Sequence, residues 1–308
     1  MIDITAVGEI LIDLTQSGVN GRGIPQFDAN PGGAPANLAV AASRLGAKAA
    51  FVGKVGNDSF GTFLRNCLAD NGVDVSCLAA DPKEHTTLAV VAVDKTGERH
   101  FSFYRDPSAD VNLSKEDVSH LPESRFLHFG SVSLTADPAR SATLFAVENA
   151  RRAGALISYD PNYRANLWPD EATAIERMKQ PLPLVDILKV SDEELPLLTG
   201  TSDLEAGTAM LAAQGIRLIL VTLGPDGAFY RFGDKTGKVP GVPCKVADTN
   251  GAGDTFFGAL LSRLAKCESL DALSISQLES DIAFANKAAS LTTSRPGAIP
   301  AMPSLEEM

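Results

Sequence analysis

Short apolar runs alternate with segments of helical period along almost the whole of this 308-residue chain, and that alternation restricts the fold more than any other feature. ITAVGEILID, KAAFVGKVG, RFLHFGSV, GALISYDPN, DILKVSDEE and IRLILVTLG read as strands. Several are apolar on both faces, as strands must be when helices cover each side of a sheet. Between them ANLAVAASRLG (36–46), RSATLFAVENARRAG and DLEAGTAMLAAQG read as helices, each closed by a glycine near its C-terminus. Strand, helix, strand in repetition implies an α/β fold with a mostly parallel central sheet.

Two stretches break the rhythm. TTLAVVAVDKTGERHFSFYRDPSAD reads as a hairpin with its turn at 94–98, and GIPQFDANPGG can add a strand to it. These segments, within about 14–30 and 86–110, are expected to form a small β-sheet lid. The rest of 1–308 is expected to form one α/β body.

Charge and cysteine usage exclude several functions. A net charge of −11 disfavours nucleic acid as a partner, because phosphate-backbone binding needs clustered Lys and Arg. No apolar run approaches the length of a membrane span, and MIDITAVGEILIDL lacks a basic leader segment. Four cysteines without paired spacing (Cys67, Cys77, Cys244, Cys267) suit buried, free thiols in a reducing cytoplasm.

The chemistry concentrates in DTNGAGDTFFG, 248–258. The segment VPGVPCKVADTNGAGDTFFGALLSRLA is expected to run strand, glycine turn, helix, with Phe257, Leu260, Leu261 and Leu264 forming one apolar face. The N–H groups of Gly251, Ala252 and Gly253 would then point outward at a helix N-terminus and hold an anion. Asp254 in that first turn has two readings. It is a favourable partner for the helix dipole, or it takes a proton from a hydroxyl that attacks a phosphoryl group held by those amides. Neither a dinucleotide fingerprint nor a P-loop is present, since Phe256 replaces the third glycine and GDKTGKV has the wrong spacing.

DTNGAGDTFFGAL resembles the C-terminal signature of the ribokinase-like sugar kinases (PfkB family), and PGGAPANLAVAASRLG (31–46) resembles their N-terminal signature. The resemblance spans essentially the whole chain and implies a ribokinase-like three-layer α/β/α fold. It implies Asp254 as catalytic base and Gly251, Ala252 and Gly253 as the anion hole. Asp13, Gly32, Gly33 and Asn37 match the residues that lie against the sugar. A carboxylate and an amide there suit paired bonds to vicinal hydroxyls, although Asn37 could equally cap the helix that follows.

On the nucleotide side KVSDEEL matches the family's N-x-x-E segment, so Glu194 acts on Mg2+ through water. Ser191 stands where the family has asparagine. Thr222, Gly224 and Gly227 in VTLGPDGA match the phosphate turn of an ATP site, and Asn286 matches a position beside the adenine. Asp248, Asn250 and Gly297 match a monovalent-cation site that would take K+, although Ala301 replaces a hydroxyl residue found in some members. MgATP and a sugar are thus the implied ligands.

Arg105 and Arg164 are the cations expected near the sugar, with structural ion pairs as the competing reading for both. GERHFSFYRDPSAD, HFGSVSL and YDPNYRANLWP look most like the fructokinases of that family, with 2-keto-3-deoxygluconate kinases close and ribokinase less so. Lid strands could pair with those of a second copy, giving a homodimer. A non-catalytic relative would be expected to have lost Asp254 or its glycines.

Overall fold

The computed structural model describes residues 1–93, 99–105 and 107–308, and it splits the first expected strand in two. The chain turns at Gly8, where φ is +150° and a Cβ would lie 2.7 Å from Pro35 Cγ, so a larger residue fits neither the backbone nor the space. β1 (Ile2–Val7) ends there, and β2 (Leu11–Val19) leaves for a second sheet.

The chain continues through β3 (Pro25–Gly32), α1 (Ala34–Arg44), β4 (Ala49–Gly56), α2 (Ser59–Asp70), β5 (Leu78–Asp81), β6 (Leu88–Val93) and β7 (Arg99–Tyr104). Then come β8 (Ser124–Gly130), α3 (Ala139–Arg152), β9 (Leu156–Asp160), α4 (Glu171–Lys179), β10 (Ile187–Ser191), α5 (Leu195–Thr199) and α6 (Leu204–Ala212). β11 (Leu218–Thr222), β12 (Ala228–Phe232), β13 (Lys235–Val239), α7 (Ala252–Leu264) and α8 (Ile275–Thr293) complete it.

Among the described residues nine strands form one sheet in the order β13-β12-β11-β10-β9-β8-β1-β4-β5. Every neighbouring pair from β5 to β11 is parallel, and β12 and β13 add an antiparallel edge. Leu38, Phe257, Leu260 and Ile282 bury one face under α1, α7 and α8. Val147, Met178, Leu198 and Leu211 bury the other under α3 to α6. This is the expected three-layer α/β/α arrangement.

β3, β2, β6 and β7 form the smaller sheet, matching the two segments expected to break the rhythm. The expected turn at 94–98 lies outside the described residues.

Two local expectations need correction. No strand precedes α7 directly: β13 stops at Val239, because Pro240 and Pro243 have no N–H for a sheet ladder, and 240–251 is irregular. The four named apolar residues of α7 are buried, but so are Phe256, Ala259 and Ser262. The helix is therefore enclosed between α1 and α8 rather than amphipathic.

The site's position follows from the topology. From β1 the chain first builds β4 and β5 on one side, then β8 to β11 on the other. A crevice opens where the direction reverses, beyond the C-terminal ends of β1 and β8. Among the described residues no helix is long and apolar enough to cross a membrane.

Candidate active site

Gly251 caps α7 in the left-handed conformation, with φ +74°, which leaves the first amides of the helix without intrahelical partners. Asp254 sits in that first turn and is 7% exposed. Its Oδ2 accepts a hydrogen bond from Asn37 Nδ2 at 2.8 Å, and its Oδ1 accepts one from Asn162 Nδ2 at 3.0 Å. Burial pushes the Asp254 carboxyl above the ordinary carboxylate range, while the Asn37 bond, the Lys189 and Arg164 charges and the Asn162 bond pull it back. Asn37 lies inside α1, whose N-cap is Gly33, so it is not a helix cap, and its side chain faces Asp254 and the cleft.

A cleft opens in front of this carboxylate. Asp13, Gly33, Asn37, Arg164, Asn250 and Asp254 are among its walls, joined by Glu9, Phe103 and Val132. Asp13 is buried and hydrogen-bonded by Asn250, and burial raises its carboxyl to about 6. Gly32 backs it closely: a Cβ there would fall 2.3 Å from Asp13 Oδ2. Asn250, expected with the monovalent cation, thus turns its side chain toward Asp13 and the cleft.

The two arginines part company. Arg164 is exposed at the cleft, bonded to the carbonyls of Asn162 and Tyr163. Arg105 is buried away from it, and its guanidinium is filled by Asp110 (2.7 Å), Thr135 Oγ1 (2.6 Å) and the Val132 carbonyl (3.0 Å). The structure pairs Arg105 with Asp110 as a structural ion pair rather than setting it in the cleft, whose walls it meets by bonding the Val132 carbonyl and by acting on the Glu9 carboxyl through its charge.

The residues expected at the nucleotide lie along the ends of β10 and β11, where Ser191 and Thr222 are register partners. Glu194 Oε2 accepts from Ser191 N at 2.8 Å and Ser191 Oγ accepts from Glu194 N at 3.1 Å, a reciprocal clasp. Glu194 Oε1 also accepts from Tyr163 N at 2.6 Å, which ties this loop to the segment carrying Asn162. Gly224 and Gly227 form the turn after β11 in left-handed conformations. Asn286 Nδ2 donates to the carbonyls of Val239 and Pro240, fastening α8 to the chain after β13. None of these borders the cleft before Asp254.

Asp248, Asn250 and Gly297 come together as expected. The Asp248 carboxylate accepts from Asn250 N (2.9 Å) and Gly297 N (3.1 Å), joining the α7 turn to the loop after α8.

Four further residues escaped the sequence reading. Asn162 lies in YDPNYRANLWP, one of the segments that resemble the fructokinases, but its bond to Asp254 carries no local signal. Glu9 Oε1 accepts from Ala34 N at 3.1 Å, and burial raises its carboxyl to about 7. Lys189 and Asp160 form an interior ion pair at 2.9 Å. The Lys189 ammonium lies against the Gly251–Gly253 turn, since a Cβ on Gly253 would come within 3.0 Å of Nζ. Of the thiols, Cys244 is exposed and the other three are half-buried, so they do not form the expected buried set.

A buried carboxylate in the first turn of a helix, at the mouth of a polar cleft in a three-layer α/β/α fold, fits a phosphotransferase acting on an alcohol. The chain belongs to the pfkB family of carbohydrate kinases, which it matches over residues 1–305. It is 44% identical to fructokinase-1 of Zea mays, over 99% of this chain and 96% of that one. A fructokinase double mutant from Vibrio cholerae O395, solved with fructose, ADP and a potassium ion, superposes with a TM-score of 0.89 at 36% identity, covering 98% and 96% of the two chains. Aminoimidazole riboside kinase from Salmonella enterica, complexed with aminoimidazole riboside and an ATP analogue, superposes at 0.86 with 31% identity over 99% and 97%.

Proposed function

We propose that the chain is an ATP-dependent fructokinase that phosphorylates D-fructose on its 6-hydroxyl. The observation that carries this reading is the doubly hydrogen-bonded Asp254 facing a polar cleft, in a chain whose full-length relatives include fructokinases. Asp13, Asn37 and Asn250 supply acceptors and donors for vicinal hydroxyls, with Gly32 and Gly33 letting the sugar approach. Asp254 takes the proton of the 6-hydroxyl as that oxygen attacks the γ-phosphorus. The bond to the bridging oxygen breaks in line and ADP leaves. The backbone of Gly251, Ala252 and Gly253 at the N-terminus of α7 faces the charge that develops.

Glu194 suits an outer position toward Mg2+. Each of its carboxylate oxygens accepts one backbone N–H and retains a lone pair for water. Among the described residues no cluster of three or more His, Cys, Asp or Glu forms a protein metal cage, so ATP phosphates and water would supply most of the ligands. Magnesium neutralises phosphate charge when bound with ATP. Asp248, Asn250 and Gly297 are the residues for K+.

The smaller sheet acts as a lid that keeps water from the phosphoryl group. Its exposed Val19, Phe27 and Tyr104, with Ile24 between β2 and β3, offer an apolar surface to a second copy. The unpaired cysteines fit a cytoplasmic enzyme.

Arg164 at the cleft favours one second reading, a kinase of a carboxylated sugar such as 2-keto-3-deoxygluconate. A panel of sugars and sugar acids assayed for ADP release with MgATP, with and without K+, decides between them. Fructose as the best acceptor is the expected result; preference for a sugar acid overturns it.

A further inference from the structure

We infer that the buried Lys189–Asp160 pair is a positioning device for the base, acting on Asp254 through Asn162. The inference rests on Asp254 being the proton acceptor and not on which sugar is phosphorylated. Lys189 on β10 and Asp160 at the end of β9 stand on neighbouring parallel strands, with side chains 7% and 3% exposed. A buried ion pair is a weak source of stability, since apolar residues of the same volume serve a core as well. Its place at the strand ends beside the base is what calls for a role.

Lys189 Nζ donates to Asp160 Oδ2 at 2.9 Å, which fixes the carboxylate plane. The other oxygen, Oδ1, accepts from Asn162 N at 3.2 Å, a turn closed by the side chain two residues earlier. Asn162 is held at φ +48°, the one non-glycine residue in the left-handed region among the described residues. From that conformation Asn162 Nδ2 reaches Asp254 Oδ1 at 3.0 Å. Glu194 fastens the next residue through Tyr163 N, so the segment is gripped on both sides of Asn162. The Lys189 ammonium also lies against Gly253, so the pair touches both the strand and the helix that set the base.

A double-mutant cycle on Asp160→Ala and Asn162→Ala tests this, assayed with the sugar that the wild-type enzyme turns over best. Wild-type failure on fructose would then count against the fructokinase reading alone. Each single variant is expected to lower kcat about 10- to 100-fold, with sugar and ATP KM changed less than about threefold. The double variant is expected to be no slower than the slower single, because Asp160 acts through Asn162. Lys189→Met, which removes the charge but keeps the length, is expected to show the same selective fall in kcat even if Asp160→Ala fails to fold. Multiplying effects in the cycle, or a Lys189→Met enzyme with wild-type kcat, would overturn the inference.

Discussion

Asn37 and Asp254 are separated by 217 positions in the chain, yet their side chains meet at 2.8 Å inside the protein. The bond joins the first turns of α1 and α7, and with them the two glycine-rich signatures. It fixes Oδ2 of Asp254, while Asn162 fixes Oδ1. A carboxylate held this way keeps a fixed orientation at the wall of the cleft.

Replacing Asp254 by Asn keeps the shape and removes the acceptor. The expected outcome is a fall in kcat of at least about 10²- to 10⁴-fold, the usual span for a lost general base. ATP affinity, measured by calorimetry, should change little. Turnover near the wild-type rate would show that the hydroxyl loses its proton elsewhere.

The acid limb of the pH–rate profile reports the same carboxyl. Burial raises it, so turnover is lost as pH falls through a value above the ordinary carboxylate range. The Asn37 bond stabilises the charged form and acts in the opposite direction. Asn37→Leu should therefore move the acid limb of kcat to higher pH, besides weakening sugar binding. A limb that moves to lower pH contradicts this assignment.

Glu9 gives a prediction about stability. Its carboxyl rises from 4.5 to about 7 on burial, near Arg105 but also near Asp110. Because the folded protein holds this proton more tightly than the unfolded chain, stability is full below the unfolded value and declines as pH rises through about 7. The loss amounts to roughly 3 kcal/mol at most, at 1.36 kcal/mol per unit. Glu9→Gln keeps an acceptor for Ala34 N and removes the charge. Urea unfolding should find the variant more stable than wild type near pH 8 and little changed near pH 5.

What could be read from the sequence was what neighbouring residues encode together. The βαβ alternation and the Gly251–Asp254 turn are each encoded by neighbouring residues, and β3, β6 and β7 of the smaller sheet fall in the two segments that break the rhythm. Asn162, Lys189 and Glu9 act on groups that only the assembled sheet brings near, and their types alone do not distinguish them from ordinary polar residues. The break at Gly8 was hidden for the same reason, because the atom that forbids a side chain there belongs to Pro35.

Arg105 and Arg164 looked alike in sequence, and opposite mutational responses should now separate them. Arg105→Met would leave the Asp110 carboxylate in the interior with only Thr87 and Ser108 as partners, together with Thr135 Oγ1 and the Val132 carbonyl that it now binds. Removing one member of a buried pair costs about 3–5 kcal/mol, which chemical denaturation reads directly. Arg164→Met removes only bonds of 3.5 and 3.1 Å to two carbonyls at an exposed position, so stability should stay within about 0.5 kcal/mol. Its charge acts on both Asp13 and Asp254, so sugar KM should rise several-fold. If Arg164→Met unfolds the protein while Arg105→Met raises only KM, the two arginines have been assigned the wrong way round.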